Sequence, residues 1–327
     1  MADVHGSGSG VAPQVEEIPE RQASFNNSES SRTPKAHSPP KSNRLDEQHI
    51  FTTKTLDFLL HPNIPPPSAT AKIADIGTGT GIWLLDVAKT LPPTCTLTGF
   101  DQTPSAYPPR HTWPANVTFT THDFLQPFPA SELGTYDVVA VRFVSSATSR
   151  SDWARALANL RTLLRPGGWL QWIESCNFAL YCSAAGTSRA ACREIYDGLE
   201  PFRAAGSGNG NGNGNGKGEL VIGLMMREAG GVRREEVFRE VGFVEVHEDV
   251  FSTDRLQEPE LRLREKGTRN IIVCFLECLK GLVSVQGSGW TEQRIEKLGE
   301  EAMSEIDEGV YHTLDQVCIV GRKPDEI

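Results

Sequence analysis

The chain has 327 residues, 38% of them hydrophobic and 23% charged, enough to bury a sizeable core. A formal net charge of −10 and a pI near 5.4 argue against a nucleic-acid partner, because phosphate contacts need clustered Lys and Arg. No run approaches the roughly 18–20 apolar residues of a membrane span. Seven cysteines without a C-x-x-C pair read as reduced thiols, so no metal site is expected.

In chain order, residues 1–43 are rich in Ser, Pro, Gly and Asn and hold almost no large apolar side chains. They are expected to be a disordered tail, with the folded domain at 44–323. The tail lacks the apolar core of a signal peptide, and Glu16, Glu17 and Glu20 set it apart from a mitochondrial presequence, so a cytoplasmic location is expected. A helix is predicted over Leu45–Leu60, ending before Pro62–Pro67. Lys72–Ile76 reads as a strand and Gly81–Leu91 as a helix, with Leu84, Leu85 and Ala88 on one face and Pro92-Pro93 as its stop. Strands follow at Cys95–Phe100 and Val117–His122, and Asp137–Val144 is apolar enough for a central strand buried on both faces. A helix over Ser151–Arg165 places Trp153, Leu157, Leu160 and Leu164 at helical spacing, with Ser151 as the expected N-cap. Pro166-Gly167-Gly168 then turns the chain into strand Trp169–Glu174. Strands and helices alternate as a doubly wound α/β sheet requires.

The most informative stretch is Ile73–Ile82, Ile-Ala-Asp-Ile-Gly-Thr-Gly-Thr-Gly-Ile, a strand running through a glycine turn into a helix. Gly77, Gly79 and Gly81 admit backbone angles closed to other residues, and a helix start offers unpaired N–H groups to a ligand. A dinucleotide turn wants G-x-G-x-x-G; counted from Gly77, the third glycine position holds Ile82. Asp75 would also repel a pyrophosphate, whereas it suits a cationic ligand bearing an amino group. An NAD-dependent dehydrogenase is therefore the weaker reading. Two further acids stand at strand ends, where an open α/β sheet places its ligand. Asp101 can accept both hydroxyls of a ribose, and Asp123 can accept an adenine amino group while Phe124 adds backbone and apolar contact. Arg142 is out of place in its apolar strand and either pairs with a neighbouring acid or faces the ligand.

Taken together, Ile-Ala-Asp-Ile-Gly-Thr-Gly-Thr-Gly-Ile-Trp, Gly-Phe-Asp, His-Asp-Phe-Leu, Tyr-Asp-Val-Val-Ala-Val-Arg-Phe and Leu-Leu-Arg-Pro-Gly-Gly-Trp-Leu-Gln-Trp-Ile-Glu resemble the class I S-adenosylmethionine-dependent methyltransferases. More narrowly they resemble the fungal enzymes often labelled UMTA, relatives of the LaeA-type regulators of secondary metabolism. The resemblance implies a Rossmann-like, mostly parallel sheet of seven strands whose last strand is antiparallel, and Val241–Ser252 and Val310–Arg322 fit the sixth and seventh. It implies S-adenosylmethionine as cofactor, with Asp75, Gly77, Thr78, Gly79 and Gly81 near its methionine part, and Asp101, Asp123, Phe124 and Arg142 completing the set.

The activity implied is methyl transfer to O, N or S of a small molecule in fungal secondary metabolism; the alternative is a nuclear regulator built on the same fold. Residues 177–232 and 253–309 exceed a bare core, and the resemblance makes them caps over the acceptor side. Their expected helices are Arg189–Phe202, Leu220–Ala229, Glu260–Leu282 and Thr291–Glu308, with Arg233–Val241 as the helix before the sixth strand and Gly206–Gly218 as a flexible Asn-Gly loop. No pattern fixes a catalytic base. Glu174, just after the fifth strand, is the best-placed carboxylate; His111 and Tyr181 rank below it, and His247 and His312 read as structural residues of edge strands. Ser145–Ser151 holds no acid cluster, so a metal-assisted reaction is not expected. The oligomeric state is not written in the sequence.

Overall fold

The computed structural model describes residues 41–144, 152–182, 186–199, 234–256, 261–285 and 287–325. The tail up to residue 40, the Asn-Gly segment Gly206–Gly218 and the expected helix Leu220–Ala229 lie outside the described residues. The elements are α1 (Lys41–Leu56), β1 (Lys72–Ile76), α2 (Ile82–Thr90), β2 (Thr96–Asp101), β3 (Val117–Thr121), β4 (Tyr136–Arg142), α3 (Trp153–Leu163), β5 (Leu164–Cys182), α4 (Ala190–Gly198), α5 (Arg234–Glu240), β6 (Val244–Ser252), α6 (Leu261–Gly281), α7 (Glu292–Asp307) and β7 (Val310–Arg322).

The seven strands form one sheet in the order β3-β2-β1-β4-β5-β7-β6. Strands β1 to β5 pair in parallel, and β7 runs antiparallel to both β5 and β6. The chain is thus the α/β, doubly wound, seven-stranded and mostly parallel sheet that the motifs imply. Register sets up the site. Ile76 lies beside Phe100 and Val141, and Asp101 beside Thr121, so the carboxyl ends of four strands open on one edge.

Each face of the sheet has its own core. On one face, α3 buries Trp153, Ala156, Leu157, Leu160 and Leu163; Trp153, Leu157 and Leu160 are on the stripe that the spacing foretells, while Leu164, expected on it too, lies past the helix end and opens β5. Trp153 stacks on Trp172 of β5 with ring centroids 4.4 Å apart. On the other face, Trp83, Leu84 and Val87 of α2 pack with Leu56, Ile73 and Leu97. A separate cluster joins α4, α6 and α7 through Ile195, Phe275, Leu298 and Ala302. Among the described residues no helix is long and apolar enough to cross a membrane.

Several boundaries differ from the sequence reading, each for a physical reason. Helix α1 begins at Lys41 and stops at Leu56, four residues early, because Asp57 takes the left-handed conformation (φ 66) that ends helices. The residue before α3 is Asp152, in helical backbone and without a capping bond, while Ser151 lies outside the described residues. Strand β5 does not end at Glu174. It continues to Cys182 because β7 supplies hydrogen-bonding partners along its whole length, Cys182 lying opposite Val310. Part of the first expected cap segment is therefore strand. Strand β7 lies between β5 and β6 rather than at an edge; His312, beyond the last β6 pairing at Asp315, is buried with its backbone N–H donating to Thr268 of α6, whereas His247 on the edge strand β6 is exposed.

Candidate functional site

The glycine turn follows β1 directly. Gly77, Gly79 and Gly81 have φ of 69, 57 and 73, all in the left-handed region that only glycine enters freely. At Gly81 the need is also steric, since a Cβ there would stand 2.4 Å from the Phe119 ring. The turn hangs from β2: the N–H groups of Gly77 and Thr78 both donate to the Phe100 carbonyl, at 2.8 and 3.0 Å.

Around it opens a cavity of about 370 Å³, on whose wall stand Gly77, Thr78, Gly79, Asp101, Phe124 and Arg142. Glu174 is on the same wall. Six of the nine proposed cofactor residues thus converge on one space from β1, β2, β3 and β4. The other three lie just behind it. Asp75 is 1% exposed and sits beneath the turn, where its Oδ2 accepts from the Thr78 hydroxyl at 2.7 Å. Gly81 turns the chain into α2. Asp123 is off the wall, its Oδ1 accepting from the Leu125 N–H at 3.0 Å and from Gln102 Nε2 at 3.2 Å, while its neighbours His122 and Phe124 face the cavity. Asp101 organises the rim: Oδ2 accepts from the Gly79 N–H at 2.9 Å and Oδ1 from the Thr103 N–H at 3.1 Å. Among the lesser candidates, His111 is exposed and Tyr181 is stacked on Tyr311, both off this wall.

Helix α1 closes one side through bonds that sequence spacing could not disclose. Thr80 Oγ1 donates to Asp46 Oδ1 at 2.6 Å. Arg142 Nη1 lies 3.1 Å from His49 Nδ1, and His49 Nε2 lies 2.9 Å from Asp86 Oδ2. A guanidinium only donates, so Nδ1 is the acceptor and the imidazole proton is on Nε2, pointing at Asp86. The pKa of His49 lies below its ordinary value, chiefly through burial and then through the Arg142 charge, with Asp86 pulling the other way. His49 is therefore a neutral link between two helices and a strand. Arg142 resolves its odd place in an apolar strand in both senses at once. It faces the cavity, and Asp75 and Asp86 stabilise its charge against burial.

Two costly features stand at this site, one behind the wall and one on it. Burial pushes the Asp75 carboxyl up to about 6, against the opposing influence of Arg142 and the Thr78 hydroxyl, and Oδ1 has no hydrogen-bond partner. Phe143, at the end of β4, holds φ of 54, an outlier for a bulky residue and a cost of about 1–3 kcal/mol. Its ring lies on the wall of this cavity and of a smaller one beside it. Glu174 is 2% exposed, and its Oε1 accepts from the Val144 N–H at 3.0 Å and from Trp172 Nε1 at 3.1 Å, which ties β4 to β5.

These groups fit S-adenosylmethionine. The Arg142 guanidinium suits the carboxylate of the amino-acid end, the strand-end carboxylate Asp101 suits a ribose diol, and Phe124, Ile82 and Ala106 offer apolar contact to an adenine, while the unpartnered Asp75 carboxylate lies behind the turn. The cavity falls within the roughly 300–1,000 Å³ of small-ligand sites.

A glycine turn between strand and helix, with acids at successive strand ends, defines a nucleoside-binding α/β protein of the methyltransferase type. Comparison with known proteins agrees: residues 74–170 match the family model described as a methyltransferase domain. The methyltransferase pytC of Aspergillus terreus is 34% identical over 288 residues, which cover 86% of this chain and 80% of that protein. The chain belongs to the methyltransferase family. The methyltransferase grgD of a Penicillium species is 43% identical over 139 residues, 40% of this chain and 48% of grgD. The N-methyltransferase verN of Clonostachys rogersoniana is 36% identical over 133 residues, 41% of this chain and 46% of verN. Both matches span about half the length of those relatives.

Proposed function

We propose that this chain transfers a methyl group from S-adenosylmethionine to a small-molecule acceptor in fungal secondary metabolism. The observation that carries the reading is the convergence of the glycine turn, Asp101 and Arg142 on one 370 Å³ cavity, with the Asp75 carboxylate buried beneath it. The cofactor, when bound, supplies an electrophilic methyl group. The protein's own residues do the rest. Asp101 holds the ribose end and Arg142 the amino-acid end, with Asp75 behind the turn that carries the cofactor, and α1 walls one side through its links to Thr80 and Asp86. Alignment in a dry pocket is the main catalytic device such a site offers. The N-methyltransferase name of verN favours nitrogen among the possible acceptor atoms.

Calorimetry with S-adenosylhomocysteine tests the reading. Wild-type protein should bind it, and Asp101→Asn should bind roughly ten- to a hundredfold more weakly, the cost of a charge-assisted hydrogen bond of about 1.5–3 kcal/mol. The asparagine keeps one acceptor oxygen for the Gly79 or Thr103 N–H groups, so the ligand-free melting temperature should fall only slightly. Binding of NAD without binding of S-adenosylhomocysteine would overturn the reading.

A further inference from the structure

Beside the cofactor cavity, between α1, α6 and β7, lies a second cavity of about 80 Å³. The two share Arg44, Gln48, Phe143, Ser175 and Cys274 as common wall. Resting on the methyltransferase reading, we propose that this cavity receives the acceptor. It selects an uncharged, mainly apolar molecule with one hydrogen-bond donor, such as an amide N–H, and Gln316 is the residue that reads the donor.

The walls argue for an apolar ligand. Phe51 of α1, Phe143, Ile271 and Phe275 of α6, and Leu314 of β7 face the space. The volume is well below the roughly 150 Å³ of an engineered cavity that admits benzene, so it suits a branched aliphatic group or the edge of a ring.

The charges argue against an ammonium. Among the described residues on this wall, the ionisable side chains are the Arg44 guanidinium and the Cys274 thiol; no carboxylate and no histidine is present. A cationic acceptor would shed its water beside another cation and find no carboxylate to compensate it. A neutral acceptor meets no such cost.

Gln316 supplies the specific recognition. It is 1% exposed on β7, beside Ser175 of β5, and both side chains belong to the cavity wall. Its Nε2 makes one long bond, 3.4 Å to Thr52 Oγ1, and its Oε1 has no partner. A buried amide oxygen left unpaired is costly, and its terminal torsion is broad, so a small rotation would bring Oε1 toward a donor in the cavity. The nearby amide of Asn270 is already engaged, Nδ2 donating to Glu47 Oε2 at 3.2 Å. A site with an unpaired acceptor discriminates against an analogue that lacks the donor, because that analogue leaves the acceptor unsatisfied.

Three matched probes test this on the full chain loaded with S-adenosylhomocysteine: N-methylisobutyramide, methyl isobutyrate and the N-methylisobutylammonium ion. Their dissociation constants are read by NMR titration. The amide should bind roughly three- to tenfold more tightly than the ester, and the ammonium more weakly than either. In Gln316→Met the amide and the ester should become equal, with the affinity for S-adenosylhomocysteine unchanged. The ranking on wild-type protein stands even where the variant fails to fold. An ester that matches the amide on wild type, an ammonium that binds as well as they do, or no binding of either neutral probe to the loaded protein would overturn this inference alone. Failure of S-adenosylhomocysteine to bind would instead overturn the methyltransferase reading beneath it.

Discussion

Asp75→Asn should make the ligand-free protein more stable at neutral pH while weakening its hold on the cofactor. The side chain is 1% exposed and its carboxyl is pushed from the ordinary 3.8 up to about 6, first by burial. At about 1.36 kcal/mol per pH unit, that displacement means the ionised form costs the fold about 3 kcal/mol. The sign follows from the raised value. Well below the ordinary 3.8 the group is protonated in both folded and unfolded chains and costs nothing; as pH rises from there toward 6 the unfolded chain ionises it while the folded protein keeps its proton, so stability is lost across that window and the cost is complete once pH has passed the folded value. Asparagine is neutral at every pH and can still accept from the Thr78 hydroxyl. The variant should therefore gain up to about 3 kcal/mol at pH 7.5, roughly 6–12 °C in melting temperature for a domain of this size. By pH 4 the gain should shrink below about 1 kcal/mol. Urea unfolding of both proteins at the two pH values measures it. A gain of equal size at both, or a loss at pH 7.5, would refute the account of Asp75 as a carboxylate held against its preference for a ligand.

Gly81→Ala should lower stability by about 2–5 kcal/mol, adding the left-handed backbone cost to the clash of its Cβ with Phe119, 2.4 Å away; chemical denaturation of the ligand-free protein reads it, and a loss below about 1 kcal/mol would mean that the Phe119 ring moves aside freely. Glu305→Ala should cost about 2 kcal/mol, because this α7 carboxylate accepts from the N–H groups of Ala191 and Cys192 and from the Ser188 hydroxyl, and so caps α4 from outside that helix. Burial alone would raise the Glu305 pKa, but the bonds from Cys192, Ser188 and Ala191 outweigh it and lower the value. The stabilisation is therefore present above the ordinary glutamate range and lost as pH falls through the lowered value, so wild type and variant should converge under acid; parallel pH curves would refute the capping role.

The parts legible in the sequence are those whose physics is local. Left-handed backbone at Gly77, Gly79 and Gly81 demands glycine, so the turn is written in consecutive residues. The apolar stripe of α3 and the doubly buried β4 follow from spacing alone. Because parallel strands in register end together, acids at successive strand ends foretell one shared edge, and Asp101 does stand there beside the turn. What only the tertiary structure decided are contacts between residues far apart in the chain that carry no spacing signal. Thr80 meets Asp46, Arg142 meets Asp86 through His49, and the neutral form of that histidine follows from its burial and the Arg142 charge, against the pull of Asp86. The same holds for Asp75, whose raised pKa is set by its depth, against the opposing charge of Arg142, rather than by its place in a motif. The extension of β5 to Cys182 depends on β7, more than a hundred residues later, supplying its hydrogen bonds. Gln316 and Thr52, 264 positions apart, share a cavity wall only because β7 enters the sheet beside β5 and α1 packs against it. A glutamine in a strand announces nothing until its neighbours have excluded water and left its amide oxygen without a partner.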